Sequence, residues 1–245
     1  MHIELVVFGF VGTTVLDDGL FDRPLREAFA RFDLAPDDAT LDALSGYALP
    51  HAVRALLERA RPGVTPPAAE IERIHDDVVS RIVARASQPA PLAEVLGASQ
   101  TLWQLHQRGL KTAAITGLSM NAAGALHDRL GWRARGLLDV CITSDDVERG
   151  APFPDAIYEA MHRAGVRESA RVLVVTGEVS ELQQASAAGC GLVVGVFDTG
   201  SAFERLRRAP HNVLLPTCAL VPELLRRLDA RRFSAPRLAL EAASG

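Results

Sequence analysis

The stretch Leu5-Val6-Val7-Phe8-Gly9-Phe10-Val11-Gly12-Thr13-Thr14-Val15 sets the reading of everything that follows it. The apolar run from Ile3 to Phe10 is short and β-branched, and Gly12 follows at once. That combination predicts a buried strand ending in a tight loop. No polar residue alternates within the run, so both faces of the strand should be covered, as in a parallel sheet flanked by helices.

Outward from this strand the period changes. From about Phe21 to Ser87 the pattern is helical: Pro24 to Phe32, Pro50 to Ala60 and Glu70 to Ala86 carry apolar residues three and four apart, and no strand is expected among them. The Pro-rich Gln88-Pro89-Ala90-Pro91 reads as a returning linker. From Ala98 onward helices and strands alternate. Strands are expected at Lys111 to Thr116, Leu138 to Thr143, Arg171 to Thr176 and Gly191 to Phe197, with helices between them. Such alternation implies right-handed crossovers and a parallel α/β sheet. The expected fold is therefore an α/β, Rossmann-like parallel-sheet core (1–17 and 93–230) interrupted by an all-helical cap (18–92). An Ala/Ser/Pro-rich tail, 231–245, is expected to be loosely ordered. In open parallel sheets ligands sit at the carboxyl ends of the strands, so function should be read at Gly9–Thr14, Thr116–Ser119, Ser144–Pro154 and Gly177–Glu181.

Composition narrows the classes. A 245-residue chain that is 48% hydrophobic and 23% charged can bury a large core. With net charge −4 it has no basic field for nucleic acid. Lys111 is the only lysine, which removes most lysine chemistry. Cys141, Cys190 and Cys218 are widely spaced and suggest neither a zinc site nor a disulfide framework. No apolar run approaches the ~18 residues of a membrane span, and Met1-His2-Ile3-Glu4 lacks a basic signal head, so a cytoplasmic location is expected.

The four loops resemble, in order, the signature loops of the haloacid dehalogenase superfamily. Leu5 to Val15 is similar to the first, a strand followed by Asp, two residues and Gly-Thr. Ile115 to Ser119 resembles the second, Thr143 to Asp155 the third, and Val174 to Gly189 the fourth. The ending from Gly195 to Leu214 is similar to the family's last strand and helix. Gly12-Thr13-Thr14, together with Leu44 to Leu57, points to the phosphonatase-like branch. The resemblance implies an aspartate nucleophile, a phosphoryl-contacting Thr or Ser, a basic residue in the third loop, Mg²⁺, and a cap lysine that forms a Schiff base. This sequence departs from each of these except the second. Gly9 stands at the nucleophile position, Val11 two residues on, Ala151 at the basic position and Leu49 at the cap lysine. Glu178 and Glu181 replace two aspartates of the fourth loop.

These departures imply that phosphatase chemistry by the family's route is absent and that Mg²⁺ is lost or weakly held, so no metal site and no cofactor are expected. The candidate catalytic residues are Glu178, Thr116 and His51. The candidate substrate-binding residues are Gly9, Thr13, Gly117, Tyr47, Arg149 and Glu181, with the volume at Gly9 expected to stand open for a ligand. Burial would raise the pKa of Glu178 and fit it for acid–base work. The plainer readings are that Thr116 caps a turn, that the two glutamates complement a helix start, that His51 is an exposed first-turn residue, and that Asp145 and Asp146 cap their loop. His75, His106, His127 and His162 read as surface residues, and Gly9/Gly12 make only a weak dinucleotide pattern. Two functions remain: a repurposed enzyme acting on a small organic substrate, or a non-catalytic module that binds a small molecule or a protein. Residual phosphatase or phosphonatase activity is a third. No nucleic-acid or membrane partner is expected, and a homodimer is left open.

Overall fold

Six parallel strands in the order β3-β2-β1-β4-β5-β6 form the sheet. The structure, a computed structural model, describes residues 2–17, 19–88 and 93–234. The expected cap boundaries at 18 and 92, most of the Pro-rich linker and the tail from 235 lie outside the described residues. In chain order the elements are β1 (Leu5–Gly9), α1 (Asp22–Ala30), α2 (Asp38–Leu44), α3 (Leu49–Ala60), α4 (Ala68–Ala86), α5 (Ala98–Gln107), β2 (Lys111–Ile115), α6 (Met120–Leu130), β3 (Val140–Ile142), α7 (Asp155–Ala164), β4 (Val172–Thr176), α8 (Val179–Ala187), β5 (Leu192–Val196), α9 (Gly200–Leu206), β6 (Val213–Leu215) and α10 (Val221–Ser234). The helical block after β1 includes α2, which the apolar period did not single out. Asp37 caps α2, its carboxylate accepting from the Thr40 amide at 2.7 Å.

β1 is the central strand, paired with β2 through Val7↔Ala113 and with β4 through Val7↔Val174. Its side chains alternate between two apolar layers, as the pleat requires. Leu5 and Val7 face a layer with Ile157, Met161 and Leu182. Val6, Phe8 and Phe10 face the other layer, which runs without a break into the cap through Leu25, Phe29, Leu49, Ile74 and Val78. Cap and core therefore share one apolar cluster, with α4 packed against both α1 and α6. The two connections of the cap also pair: Leu16 N–H donates to Ala93 O at 3.0 Å and Val95 N–H to Thr14 O at 2.9 Å.

His127 corrects the sequence reading. It is buried, not on the surface, and lies flat on Phe10 with ring centroids 4.4 Å apart and 9° between planes. Helix α6 buries the adjacent pairs Ala122/Ala123 and Leu126/His127, a wider face than its charged neighbours Asp128 and Arg129 suggest. Trp132 meets both rings edge-on.

Burial lowers the pKa of His127 to about 4, from 6.5. Below about pH 6.5 the unfolded chain takes up a proton that the fold refuses, so stability is full above 6.5 and falls as the pH drops toward 4. The loss should reach about 3 kcal/mol. Denaturant melts at pH 7 and 4.5 should show a smaller acid loss in His127→Gln than in the wild type; equal losses would show that this ring does not limit acid stability.

Candidate active site

Strand order reverses between β1 and β4, so the loops that leave these two strands frame the crevice. They are tied directly: the Gly177 amide donates to Thr13 Oγ1 at 2.9 Å. Thr176 Oγ1 accepts from the Glu178 amide at 2.9 Å and donates to Glu181 Oε2 at 2.5 Å. Both threonines are buried, and so is Glu181, in the first turn of α8. Glu178 precedes that helix at its N-cap without a capping hydrogen bond from its side chain.

The volume at Gly9 is not open, and the expectation of a ligand pocket there is wrong. A Cβ on Gly9 would stand 2.4 Å from Glu181 Oε2, 2.7 Å from Thr13 Oγ1 and 3.0 Å from Thr176 Oγ1. The missing side chain is already replaced by the protein's own polar groups. Glu178 fills a second glycine-edged space, its Oε1 3.1 Å from where a Cβ on Gly12 would be.

The cap closes over this floor by backbone contact. Leu49 N–H donates to Gly117 O at 2.8 Å, and Ser180 Oγ donates to Ser45 O at 2.8 Å. A Cβ on Gly117 would lie 2.0 Å from Tyr47 O, so only glycine permits this approach. What remains inside is a cavity of about 30 Å³, walled by Val11, Phe21, Tyr47, Thr116, Glu178 and Glu181 among others. That is room for about two water molecules. Among the described residues its walls bear three carboxyl groups, Asp17, Glu178 and Glu181, and no basic side chain. Asp17, Ser45 and Glu178 also border a larger outer cleft of about 460 Å³.

Desolvation dominates the electrostatics. Burial pushes Glu178 up to about 7, against a hydrogen bond from Ser45 that favours the ionised form. It pushes Glu181 up to about 8; the Thr176 hydrogen bond opposes this and the neighbouring Glu178 charge adds to it. Among the described residues no group of three or more His, Cys, Asp or Glu side chains is placed to hold a metal ion.

Of the sequence candidates, the structure brings Glu178, Glu181, Thr116, Gly117 and Tyr47 onto one cavity wall. Thr116 Oγ1 also accepts from the Leu118 amide at 3.2 Å, the turn-capping role. Thr13 borders the outer cleft, where its hydroxyl is taken by the Gly177 amide. His51 is exposed on α3 and borders neither the cavity nor the cleft. Arg149 also stays outside both, paired with Asp155 at 3.0 Å and lying over the Phe153 ring. Asp145 accepts from the Met120 amide at 2.9 Å, and Asp146 closes a capping box with Thr143. Asp17, Ser45 and Thr176 were missed. Thr176 had a signal, a hydroxyl at a strand's carboxyl end; Ser45 reaches the site only through the cap's folding, and Asp17 stands where the chain leaves the core for the cap.

A parallel-sheet core with a helical cap over polar groups at its strand ends defines a capped α/β protein with its site at the switch point. The chain belongs to the haloacid dehalogenase-like hydrolases, whose family model (Hydrolase) matches residues 3–189. It is related to phosphonoacetaldehyde hydrolases: that of Bacillus cereus strain AH187 is 27% identical over 220 residues, covering 82% of this chain and 79% of the relative. A phosphonoacetaldehyde hydrolase-like protein from Oleispira antarctica superposes with TM-score 0.79 at 18% identity, covering 96% of each chain. CbbY from Rhodobacter sphaeroides, solved in complex with phosphate, gives 0.73 at 25% identity over 89% of this chain and 95% of that one. No helix among the described residues is long and apolar enough to cross a membrane.

Because the fold keeps Glu181 protonated up to about 8 while the unfolded chain ionises it near 4.5, stability should fall as pH rises between those values. Glu181→Gln, neutral at every pH, should lose less melting temperature than the wild type between pH 5 and 8. Parallel losses would mean that the buried carboxyl is already ionised.

Proposed function

We propose that this chain lacks the nucleophile of its relatives and performs acid–base chemistry on a small, non-phosphorylated organic substrate. One observation carries the reading: the space beside Gly9 is filled by Glu181, in a cavity whose described walls hold carboxyls and no cation. Phosphoryl transfer as the family performs it needs a carboxylate that attacks phosphorus and positive charge to balance the phosphate. At the resembling positions Gly9 offers no side chain. Ala151 is buried and bridges backbone to backbone with Tyr47. Leu49, at the resembling position of the Schiff-base lysine, is fully buried in the apolar cluster.

Glu178 is the proton-transfer group of this reading. A carboxyl with a pKa about 7 is populated in both forms at neutral pH, the condition for general acid–base catalysis. It borders both the inner cavity and the outer cleft, so a substrate entering by the cleft meets it first. Thr116 and Tyr47 would orient the bound molecule. The small inner volume favours a second reading, a non-catalytic pocket that binds a small molecule, and the same assays separate the two.

With Mg²⁺ and p-nitrophenyl phosphate the wild type should release no nitrophenol above buffer, and Gly9→Asp alone should not change this. Turnover of roughly 1 s⁻¹ or more from either protein would overturn the proposal. Incubation with small carbonyl compounds in D₂O, followed by proton NMR, should reveal deuterium exchange that Glu178→Gln slows about 10²–10⁴-fold. Binding without exchange would decide for the non-catalytic pocket.

A further inference from the structure

The contact at Gly9 has a geometry beyond simple filling. The bond lengths of a carboxyl attached to Cβ put its oxygens about 2.4 Å from that Cβ. Glu181 Oε2 lies 2.4 Å from a Cβ built on Gly9. A carboxyl oxygen borne by α8 thus stands as far from that point as the oxygen of an aspartate on β1 would. It is held as a placed group is: Thr176 donates to this same oxygen, and Thr13 Oγ1, 2.7 Å from the built Cβ, also borders the Gly9 space. Glu181 is 5% exposed, which leaves few alternative rotamers for a side chain of its length.

We infer that Gly9 and Glu181 work as one unit, in which the absent side chain of Gly9 seats the Glu181 carboxyl at the end of β1 and so supplies the site's central acid from the other side of the crevice. Gly9 is a positioning residue for Glu181. The inference rests on the reading of the cavity as an acid–base site, but its geometry stands apart from any turnover. It also explains why an aspartate introduced at position 9 would meet an occupied space. The neutral, hydrogen-bonding form of Glu181 suits a carbonyl or hydroxyl oxygen of a substrate, whereas an ionised phosphoryl group would find no counter-charge on the described walls.

A mutant cycle with a spectroscopic readout tests the unit in the full-length chain. Gly9→Ala should lower the melting temperature by roughly 5 °C. In a Glu181→Ala background the same change should cost less than half as much. In parallel, infrared spectra of protein carrying ¹³C-labelled glutamate should show protonated-carboxyl intensity that Glu181→Gln lowers, the part that remains being that of Glu178. Gly9→Ala should shift or remove the Glu181 part of that intensity as the carboxyl is pushed toward water. If Gly9→Ala does not fold alone, Gly9→Ala with Glu181→Asp should fold, because the shorter acid withdraws from the added methyl. Additive costs, a Glu181 contribution untouched by Gly9→Ala, or failure of both alanine variants to fold would each overturn the inference. Because none of these measurements uses a substrate, they fail independently of the acid–base proposal.

Discussion

Glu181 is kept out of water where β1 and β4 end, with Glu178 half-buried beside it, and the site is arranged around that constraint. An ionised carboxylate without a cation costs several kcal/mol to bury; no arginine or lysine borders the described inner cavity, and Arg205, on the outer cleft, acts on Glu178 only. The remaining solution is neutralisation, which is the direction in which both side chains are pushed. The glycines follow from it. Gly9 and Gly12 leave the space into which the carboxyls fold, while Thr176 supplies a donor without bringing charge.

The same constraint accounts for how tightly the cap is held. Water reaching Glu181 would release the desolvation that keeps it neutral, whereas Glu178 beside it already borders the outer cleft. The seam that excludes it is made of backbone: Tyr47 against Gly117, Ser45 against Ser180, and the paired connections around Thr14 and Val95. The apolar cluster shared by cap and core adds Phe29, Leu49 and Ile74 to the residues that hold the seam shut. His127 lies against that cluster, on the Phe10 face of β1, and Glu181 lies at the strand's end. His127 penalises pH below about 6.5 and Glu181 penalises pH above about 4.5, so the two effects oppose each other between those values.

Much of this was legible in the sequence and some could not be. The unbroken apolar run before Gly9 and the alternation after Ala98 fix a parallel sheet, because only strands covered on both faces read that way. The four strand-end loops locate the crevice for the same topological reason. What fills a missing side chain is a different kind of fact. Gly9 announces a gap, but whether a ligand, water or a neighbour takes it depends on the rotamer of Glu181, far along the chain. Arg149 and His51 lie close in sequence to site residues yet turn outward, Arg149 toward Asp155 and His51 from an exposed helix face. His127 went unrecognised because charged neighbours mark one edge of α6 as exposed, while its buried arc spans two adjacent positions per turn.

The relation between Gly9 and Glu181 also bears on how a phosphorus-directed site could change its chemistry. Removing one carboxylate from a site balanced by a cation leaves that cation unpaired in a buried place, which is costly. Replacing the cation by an apolar residue such as Ala151 relieves this, and the crevice can then hold acids that are neutral. On the proposed reading, charge at the floor of the site is then lowered by neutralising Glu181 instead of by pairing. A site neutralised in this way rejects phosphate for the reason that a paired site accepts it: the anion's desolvation is repaid only where positive charge or oriented donors await it. Here the described walls of the inner cavity place acids there instead, which is why the proposed reading assigns this site the movement of a proton.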